Sequence, residues 1–377
     1  MKFYFYSHTK HFIENSHLFN QKFYTLVDRD VDADFIFVSI TGLVPYYESL
    51  KVNTQLRDKK IVLYNLTEPI SFGGAKHVLL TSMKYGVDSK NIFFHSTNHF
   101  LDQFNCLHKG LSIKDHLVKS QLSGVMEKNQ RFLKYTFLNN AIRKPRAMVI
   151  SELLKRNLFF NQCFITCNTE RHYGNKNVLS DKTISDRLSQ LQSYDCTDVY
   201  NHTSYENDLN FQPVYKSSFM NFVIETFSDF GMDNRGFNSH LTEKTIRNFI
   251  FKVPFLLLIS SEDQIKVIES LGFKTYNHLF DFNIDLTNID KTIVDYTDVI
   301  EKFTNMSATD VRSWFMSDEV NSIIEHNHNV IISYRDLNIE NIYTYILKGE
   351  YENKNTLMID MNEPDDIVPI SIISNEI

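Results

Sequence analysis

A chain of 377 residues exceeds the size at which a single hydrophobic core stops growing, so two domains are expected. The formal net charge of −7 argues against a protein that coats nucleic acid, although it leaves room for a local basic cleft. The 4 cysteines are scattered, which argues against a disulfide scaffold and favours a reduced, cytosolic setting. No apolar run approaches the roughly 18 residues of a membrane span, and the chain starts on a predicted strand rather than on a signal peptide.

Short apolar runs alternate with polar, helix-like stretches over residues 1–125, which is typical of a layered α/β domain. The predicted strands are Lys2 to Tyr6, Asp34 to Ser39, Lys60 to Tyr64 and Asn91 to His95. Helices are predicted near His11 to Tyr24 and near Lys76 to Tyr85. The loops that follow these strands are expected to line a crevice, because ligands of open α/β sheets bind at the carboxyl ends of strands.

A second domain is predicted over residues 130–305. A strand is expected at 132–138, and a basic turn then leads into a helix that reaches Asn157. The polar, turn-rich residues 168–210 indicate a surface excursion. Residues 306–377 are predicted to form C-terminal helices and a tail that pack back on the domains, with Ser307 as a helix cap.

The most informative stretch of the second domain combines a strand, a loop, a helix start and another strand. The apolar run from Phe219 ends at the carboxylate of Glu225, and a polar loop then leads to Thr242-Glu243-Lys244-Thr245 and to the Val253-Pro254-Phe255 strand. Backbone N–H groups at a helix N-terminus, together with Lys244, favour an anion. Glu243 suits neighbouring hydroxyl groups, so a nucleotide with a ribose beside its diphosphate is the ligand class that this pattern indicates.

This order of motifs resembles the donor-binding half of GT-B glycosyltransferases. It looks most like the α1,3-fucosyltransferases, which carry a Glu-Asn, Thr-Glu-Lys and Val-Pro series in the same order. It is also similar to a group of phage and bacterial glycosyltransferase-like proteins, in which a Gly-Phe-Lys-Thr segment and an acidic turn follow. Here these are Gly272 to Thr275 and Asp281 to Asp285. The resemblance covers roughly residues 130–305, whereas the first 125 residues match no family.

The resemblance implies a GT-B-like α/β fold, with two Rossmann-like domains that face each other across a cleft. The first domain would bind the acceptor and the second the nucleotide sugar. Glu243 would hold the ribose hydroxyls and Lys244 the diphosphate, with Thr242 and Thr245 in the same cluster. A capping sequence with a surface lysine is the alternative interpretation of this cluster.

Four further residues are candidates for the same donor pocket. Glu225 and the loop arginine Arg235 would flank it. Arg143 and Arg146 would neutralise the diphosphate from the opposite wall, since guanidinium groups match phosphate geometry. In this chain Asn-Asn-Ala-Ile precedes Arg143, so the first arginine of the related motif is displaced or missing. The assignment of Arg143 to the donor pocket is therefore weaker than that of Arg146. A solvated basic helix start is the alternative.

The general base should come from the first domain, where the acceptor is expected. A carboxylate just beyond a strand suits the removal of a proton from an acceptor hydroxyl. Glu68 is therefore the first candidate and His95 the second. Either residue is also compatible with a loop cap or a buried hydrogen-bonding role.

The sequence predicts neither a metal nor a cofactor beyond the donor substrate. His326 and His328 are two residues apart and cannot share one helix face. There is also no phosphate-binding or dinucleotide glycine motif. A GT-B site instead neutralises the leaving diphosphate with cationic side chains and a helix N-terminus.

The predicted function is a metal-independent glycosyltransferase that acts on an acceptor hydroxyl. The 31 Phe and 19 Tyr against 11 Gly suggest an AT-rich genome, as in a phage, whose product would work in the host cytoplasm. A hydroxymethylated pyrimidine in duplex DNA is the first acceptor considered. Residues that would line a DNA track are Lys10, His11, Lys22, Tyr46, Tyr47 and Lys51. The alternatives are a fucosyltransferase-like enzyme acting on a glycan and a non-catalytic, degenerate transferase with a structural or sugar-binding role.

Overall fold

A computed structural model gives the fold of the chain. It describes residues 1–6, 22–39, 42–64, 72–95, 107, 131–139, 144–158, 163–167, 186, 214–225, 241, 243–258, 262–282, 284–285, 288–336 and 339–355. The chain divides into two compact units. Unit 1 holds the described residues of Met1–Asp115 and Asp336–Ile377, and unit 2 holds those of His116–Gly236 and Leu241–Arg335.

The described residues include nine strands and nine α-helices. The strands are β1 Lys2–Tyr6, β2 Thr25–Leu26, β3 Phe35–Ser39, β4 Lys60–Tyr64, β5 Ile92–His95, β6 Tyr135–Asn139, β7 Cys163–Cys167, β8 Asn221–Ile224 and β9 Phe255–Leu258. The helices are α1 Leu43–Val52, α2 Phe72–Lys84, α3 Lys144–Lys155, α4 Glu243–Ile250, α5 Glu262–Ser270, α6 Ile289–Asn305, α7 Ala308–Phe315, α8 Asp318–Ser333 and α9 Ile339–Lys348.

Unit 1 contains a five-stranded, all-parallel sheet, here called sheet 1, in the order β2-β1-β3-β4-β5. The four strands predicted from apolar runs are confirmed within one residue at their ends. The two-residue β2 was not predicted, and residues 22–26 form a turn and this strand where the end of a helix was expected. The rest of that predicted helix, residues 11–21, lies outside the described residues.

The two faces of sheet 1 are covered by different parts of the chain. Ile36, Val38, Ile61 and Leu63 point to the side on which α1 and α2 pack. Tyr46 and Tyr47 of α1 are buried in this core, so the prediction that they line a DNA track is wrong. On the other face, aromatic side chains of β1 and β3 pack around Tyr343 of α9, whose side chain is fully buried. Ring centroids of Phe3, Phe35 and Phe37 lie 5.7, 5.0 and 6.0 Å from that of Tyr343. A helix that follows unit 2 in sequence therefore completes the core of unit 1.

Unit 2 contains a four-stranded, all-parallel sheet, here called sheet 2, in the order β7-β6-β8-β9. Side chains of β8 alternate between its faces. Phe222 packs edge-on against Tyr296 and Phe303 of α6, with ring centroids 5.8 and 6.3 Å apart. On the other face, Phe249 of α4 packs against Phe255 of β9 at 5.3 Å. The prediction of an α/β protein built from parallel sheets and helices is thus confirmed.

Helices α3 and α6 lie on the same face of sheet 2. Arg156, just after α3, donates hydrogen bonds to Asp298 and Glu301 of α6 at 2.5 and 2.8 Å. The predicted cap of α7 is also confirmed, because the Ser307 hydroxyl accepts a hydrogen bond from the backbone N–H of Asp310 at 3.1 Å. Among the described helices, none is long and apolar enough to cross a membrane.

A buried arginine ties the start of sheet 2 together. Arg131 is only 2% exposed, and its guanidinium lies 5.0 Å from the centre of the Phe315 ring. It donates hydrogen bonds to five backbone carbonyls, those of Tyr215, Lys216, Ser218, Phe251 and Lys252. Burial lowers the pKa of Arg131 to about 10. The segments that enter β6, β8 and β9 are therefore fastened to one cation.

Candidate functional site

The candidate site lies at the carboxyl edge of sheet 2, where the strand order reverses. From β6 the chain moves outward to β7 on one side, whereas β8 and β9 are added on the other. The point between β6 and β8 is the topological switch point of the sheet. Open α/β sheets bind ligands in the crevice that forms there.

Two helices begin at this edge, one on each face of the sheet. Helix α3 begins at Lys144 after β6, and α4 begins at Glu243 after the segment that follows β8. Since each helix runs antiparallel to the strands, both N-termini are at the carboxyl edge. A helix N-terminus carries unsatisfied N–H groups and about half a positive elementary charge. The edge is therefore suited to an anion.

Arg146 lies in the first turn of α3 and is directed at β8. Its side chain is 2% exposed, and its Nη2 donates a hydrogen bond to the carbonyl oxygen of Ile224 at 3.0 Å. A cation is thus buried beneath the end of β8, and it fixes the strand end to the helix. Its positive charge adds to that of the helix N-terminus.

Glu225 directly follows β8 and is also 2% exposed. Its carboxylate accepts a hydrogen bond from the hydroxyl of Thr245 at 2.5 Å. Thr245 lies in the first turn of α4 and is fully buried, whereas the neighbouring Lys244 is half-buried. The strand end and the helix start, 20 residues apart in sequence, are therefore in direct contact.

Three of the predicted donor residues therefore lie around the end of β8, namely Arg146, Glu225 and Thr245. Arg146 hydrogen-bonds to the last residue of β8, and Thr245 hydrogen-bonds to Glu225 directly after it. Lys244 is adjacent to Thr245 in the same helical turn. Glu243 is the first residue of α4, but its side chain is outside what the structure describes. Thr242, Arg143, Arg235 and Glu68 also lie outside the described residues, so their roles stay predictions.

The carboxyl edge of sheet 1 carries a different set of side chains. Ser39, Tyr64 and His95 are the last residues of β3, β4 and β5, and they are paired side by side in the register of the sheet. All three side chains are buried, and His95 is only 5% exposed. The Tyr6 hydroxyl at the end of β1 donates a hydrogen bond to Asp30. The pKa of Tyr6 is raised mainly by burial and, to a smaller extent, by this hydrogen bond.

Gly42 shows how closely the backbone approaches the switch point of sheet 1. A Cβ atom at this position would lie 2.3 Å from the carbonyl oxygen of Tyr6. The N–H of Gly42 donates to the hydroxyl of Ser39 at 3.2 Å. Because that distance for a Cβ is prohibitive, only glycine fits between β1 and the start of α1.

Sequence reasoning missed a second set of polar residues around α4. Thr136, Asn221 and Asn248 are buried and joined by hydrogen bonds. Strand periodicity offered one indication of this, since Asn221 and Glu225 share a face of β8 with Val223 between them. Within the described part of the chain, no group of three or more His, Cys, Asp or Glu side chains is arranged to hold a metal ion.

Comparison with known proteins gives two similar structures. No protein-family model and no curated protein sequence matches the chain. An α,α-trehalose 6-phosphate synthase from Burkholderia multivorans is 9% identical, with 88% of this chain and 73% of that chain covered and a TM-score of 0.41. An α1,3-fucosyltransferase is 11% identical, with 94% and 92% covered and a TM-score of 0.37. At these low scores and identities, function has to be argued from the residues of the site.

Proposed function

We propose that the chain is a glycosyltransferase whose unit 2 binds a nucleoside diphosphate sugar at the carboxyl edge of sheet 2. The observation that carries the proposal is the pair of helix N-termini at the end of β8, with the cations Arg146 and Lys244 on α3 and α4 and the carboxylate of Glu225 beside them. A diphosphate matches the positive charge, and the carboxylate suits hydroxyl groups of a ribose or sugar. The motif order that resembles the GT-B donor half supports the same assignment.

In the proposed reaction, the bond between the sugar C1 and the diphosphate oxygen breaks as a bond forms between C1 and the acceptor oxygen. The acceptor proton passes to a general base, and the diphosphate leaves with the electron pair. Lys244, the α4 N-terminus and the charge of Arg146 would stabilise the negative charge that develops on the leaving group. We propose that these groups serve without a metal ion, so activity should persist in a chelator.

Unit 1 is proposed to bind the acceptor and to supply the base. His95 ends β5 at the carboxyl edge of sheet 1 and is a candidate for the base, together with Glu68. Burial of a histidine is compatible with a proton acceptor that an acceptor hydroxyl reaches through the crevice. Substitution His95→Gln is expected to lower kcat more than it weakens donor binding.

The first acceptor to test is a hydroxymethylated pyrimidine in duplex DNA, which would have to be flipped out of the stack. Retention on duplex DNA should then fall steeply with salt. A glycan hydroxyl is the second acceptor to test, in line with the fucosyltransferase-like motif order.

Donor binding is tested by thermal unfolding with a panel of nucleoside diphosphates and their sugars. A ligand present at 100 times its Kd stabilises the folded state by about 2.7 kcal/mol, which raises the Tm. The wild type should respond to one nucleotide, and Lys244→Ala should lose most of that response. Lys155→Ala removes the same charge from the far end of α3 and should keep the response.

The absence of a Tm increase with every nucleotide would overturn the donor assignment. A nucleotide response without release of nucleoside diphosphate from the sugar donor, with or without acceptor, would favour the non-catalytic module instead. An active transferase should hydrolyse its donor slowly even when no acceptor is present.

A further inference from the structure

A chain of three buried polar side chains links sheet 2 to helix α4. The Thr136 hydroxyl on β6 donates to Asn221 Oδ1 on β8 at 3.0 Å. Asn221 Nδ2 donates to Asn248 Oδ1 on α4 at 2.8 Å. Asn248 Nδ2 then donates to the carbonyl oxygen of Lys244 at 2.7 Å. All three side chains are at most 2% exposed, so the chain lies in the core.

The direction of each hydrogen bond is fixed along this chain. Both amides accept through their oxygen and donate through their nitrogen, so neither can be flipped without placing donor against donor or acceptor against acceptor. The last acceptor belongs to the first turn of α4, where Lys244 is located. These hydrogen bonds therefore connect β6 and β8, the two strands at the switch point, through Asn248 to the first turn of α4.

Helix α4 needs such a connection because it is short. It has eight residues, and isolated helices of that length are not stable in water. Its apolar face, which includes Ile246, Phe249 and Ile250, buries it against the sheet but tolerates small shifts along the strands. Apolar contacts have no fixed direction, whereas a hydrogen-bonded amide permits one arrangement.

We infer that Thr136, Asn221 and Asn248 are positioning residues that hold the first turn of α4 at the end of β8. The hydrogen bond from Thr245 to Glu225 forms a second connection of the same helix to the same strand. One connection reaches the start of β8 and the other its end, so the helix is fixed in both translation and tilt. The functional part of this inference rests on the proposed function, in which Lys244 contacts the donor diphosphate.

Hydrogen–deuterium exchange tests the positioning without any ligand. Thr136→Val removes the first donor with little change in shape, and Asn248→Leu removes the connection to Asn221 and to Lys244. Both variants should speed exchange in α4 by about five- to tenfold, as expected for the loss of a net hydrogen bond, while exchange in β6 and β9 stays as in the wild type. Thr136→Ser restores a hydroxyl and should return exchange close to the wild-type rate.

Thr297→Val is the matched control. Thr297 is a fully buried threonine of α6 whose hydroxyl donates to the Ile293 carbonyl at 2.8 Å, within its own helix. Its substitution should leave the exchange of α4 unchanged. Unaltered α4 exchange in both Thr136→Val and Asn248→Leu would overturn the inference.

The nucleotide response of the same variants tests the functional part. Thr136→Val should weaken nucleotide binding several-fold, measured as a smaller Tm increase at fixed ligand concentration, and Thr297→Val should not. Faster α4 exchange with an undiminished nucleotide response would overturn the assignment of these residues to the donor site. A wild type that responds to no nucleotide would overturn the proposed function. The exchange data would still decide whether Thr136, Asn221 and Asn248 position α4.

Discussion

Sheets 1 and 2 wind their first four strands in the same way, each with its second strand on one side of the first and its third and fourth on the other. Their interiors and edges nevertheless differ. Sheet 1 is held by stacked aromatic rings, and its carboxyl edge carries Ser39, Tyr64 and His95. Sheet 2 is held at its start by a buried guanidinium, and its carboxyl edge carries a buried arginine and a buried carboxylate. The shared topology supplies a crevice in both cases, and the side chains determine its chemistry.

In unit 2, buried arginines hydrogen-bond to backbone carbonyls at or next to the ends of strands, whereas the core of unit 1 is held mainly by apolar contacts. Arg131 and Arg146 are both 2% exposed, at opposite ends of sheet 2. Buried charges require several hydrogen bonds to offset their loss of water. Among the described residues of unit 1, no arginine is buried to this degree.

The largest expected effect comes from deletion of residues 336–377, which should unfold unit 1 and spare unit 2. The deletion removes Tyr343 and Ile346 from the aromatic face, and it removes Asn355, whose amide donates to the carbonyls of Ser89 and Ile92 at 2.7 and 2.9 Å. Trp314 is the only tryptophan and lies in α7 of unit 2. Its fluorescence transition in urea should persist, while exchange protection in β3 and β4 is lost.

A point substitution refines this experiment. Tyr343→Ala should destabilise unit 1 by about 3–5 kcal/mol, the usual cost of truncating a large buried ring. Tyr345→Ala is the control, because Tyr345 lies two residues away on the same helix and is 50% exposed. If the two variants were equally stable, α9 would not be part of the core of unit 1.

Arg131→Met should have the next largest effect, and it should act on unit 2. The substitution removes the Arg131 hydrogen bonds to five carbonyls, so a loss of about 3–5 kcal/mol is expected. The Trp314 transition should move to lower urea, while exchange in β3 and β4 should not change. Arg131→Lys, which keeps the charge but not the planar fork of donors, should lie between the two. Destabilisation of both units by Arg131→Met would contradict the inference that Arg131 stabilises unit 2 alone.

The smallest effect expected is on alkaline stability and concerns Tyr47 of α1. Burial raises the pKa of Tyr47 to about 12, and its hydroxyl lies 3.4 Å from that of Ser82. Because the folded pKa exceeds the unfolded value of about 10, the unfolded state releases its proton first. The stabilisation is therefore complete below pH 10 and is lost as the pH rises toward 12.

Tyr47→Phe removes this titration. From pH 9 to pH 11, the free energy of unfolding should decrease in both proteins. The decrease should be about 1 kcal/mol larger in the wild type than in Tyr47→Phe. Urea titrations at both pH values measure the difference. Equal losses in the two proteins would show that Tyr47 ionises alike in both states.

The local elements of both units could largely be predicted from the sequence, because apolar runs of four or five residues mark buried parallel strands. The helix start at Lys244 and Thr245 and the strand end at Glu225 were visible for the same reason. Strand β2 has two residues and leaves no pattern to detect.

Contacts between distant segments could not be predicted. Arg146 meets the carbonyl of Ile224, 78 residues away, and this depends on the order of β6 and β8 in the sheet. The chain from Thr136 through Asn221 to Asn248 depends on the same order and on the face that α4 covers. Likewise, an amphipathic pattern predicts α9 as a helix but does not indicate which sheet it covers.

The position of α9 has a consequence for synthesis on the ribosome. All described residues between Arg131 and Arg335 belong to unit 2, so this unit can fold as soon as that stretch has emerged. Unit 1 begins first but must wait for α9, and at roughly 5–20 residues per second the delay after Leu107 is on the order of 10–50 seconds. During that time the rings of Phe3, Phe35 and Phe37 lack their cover. Unit 1 is thus begun before unit 2 and completed after it, and its nascent aromatic face is a surface that a chaperone would meet.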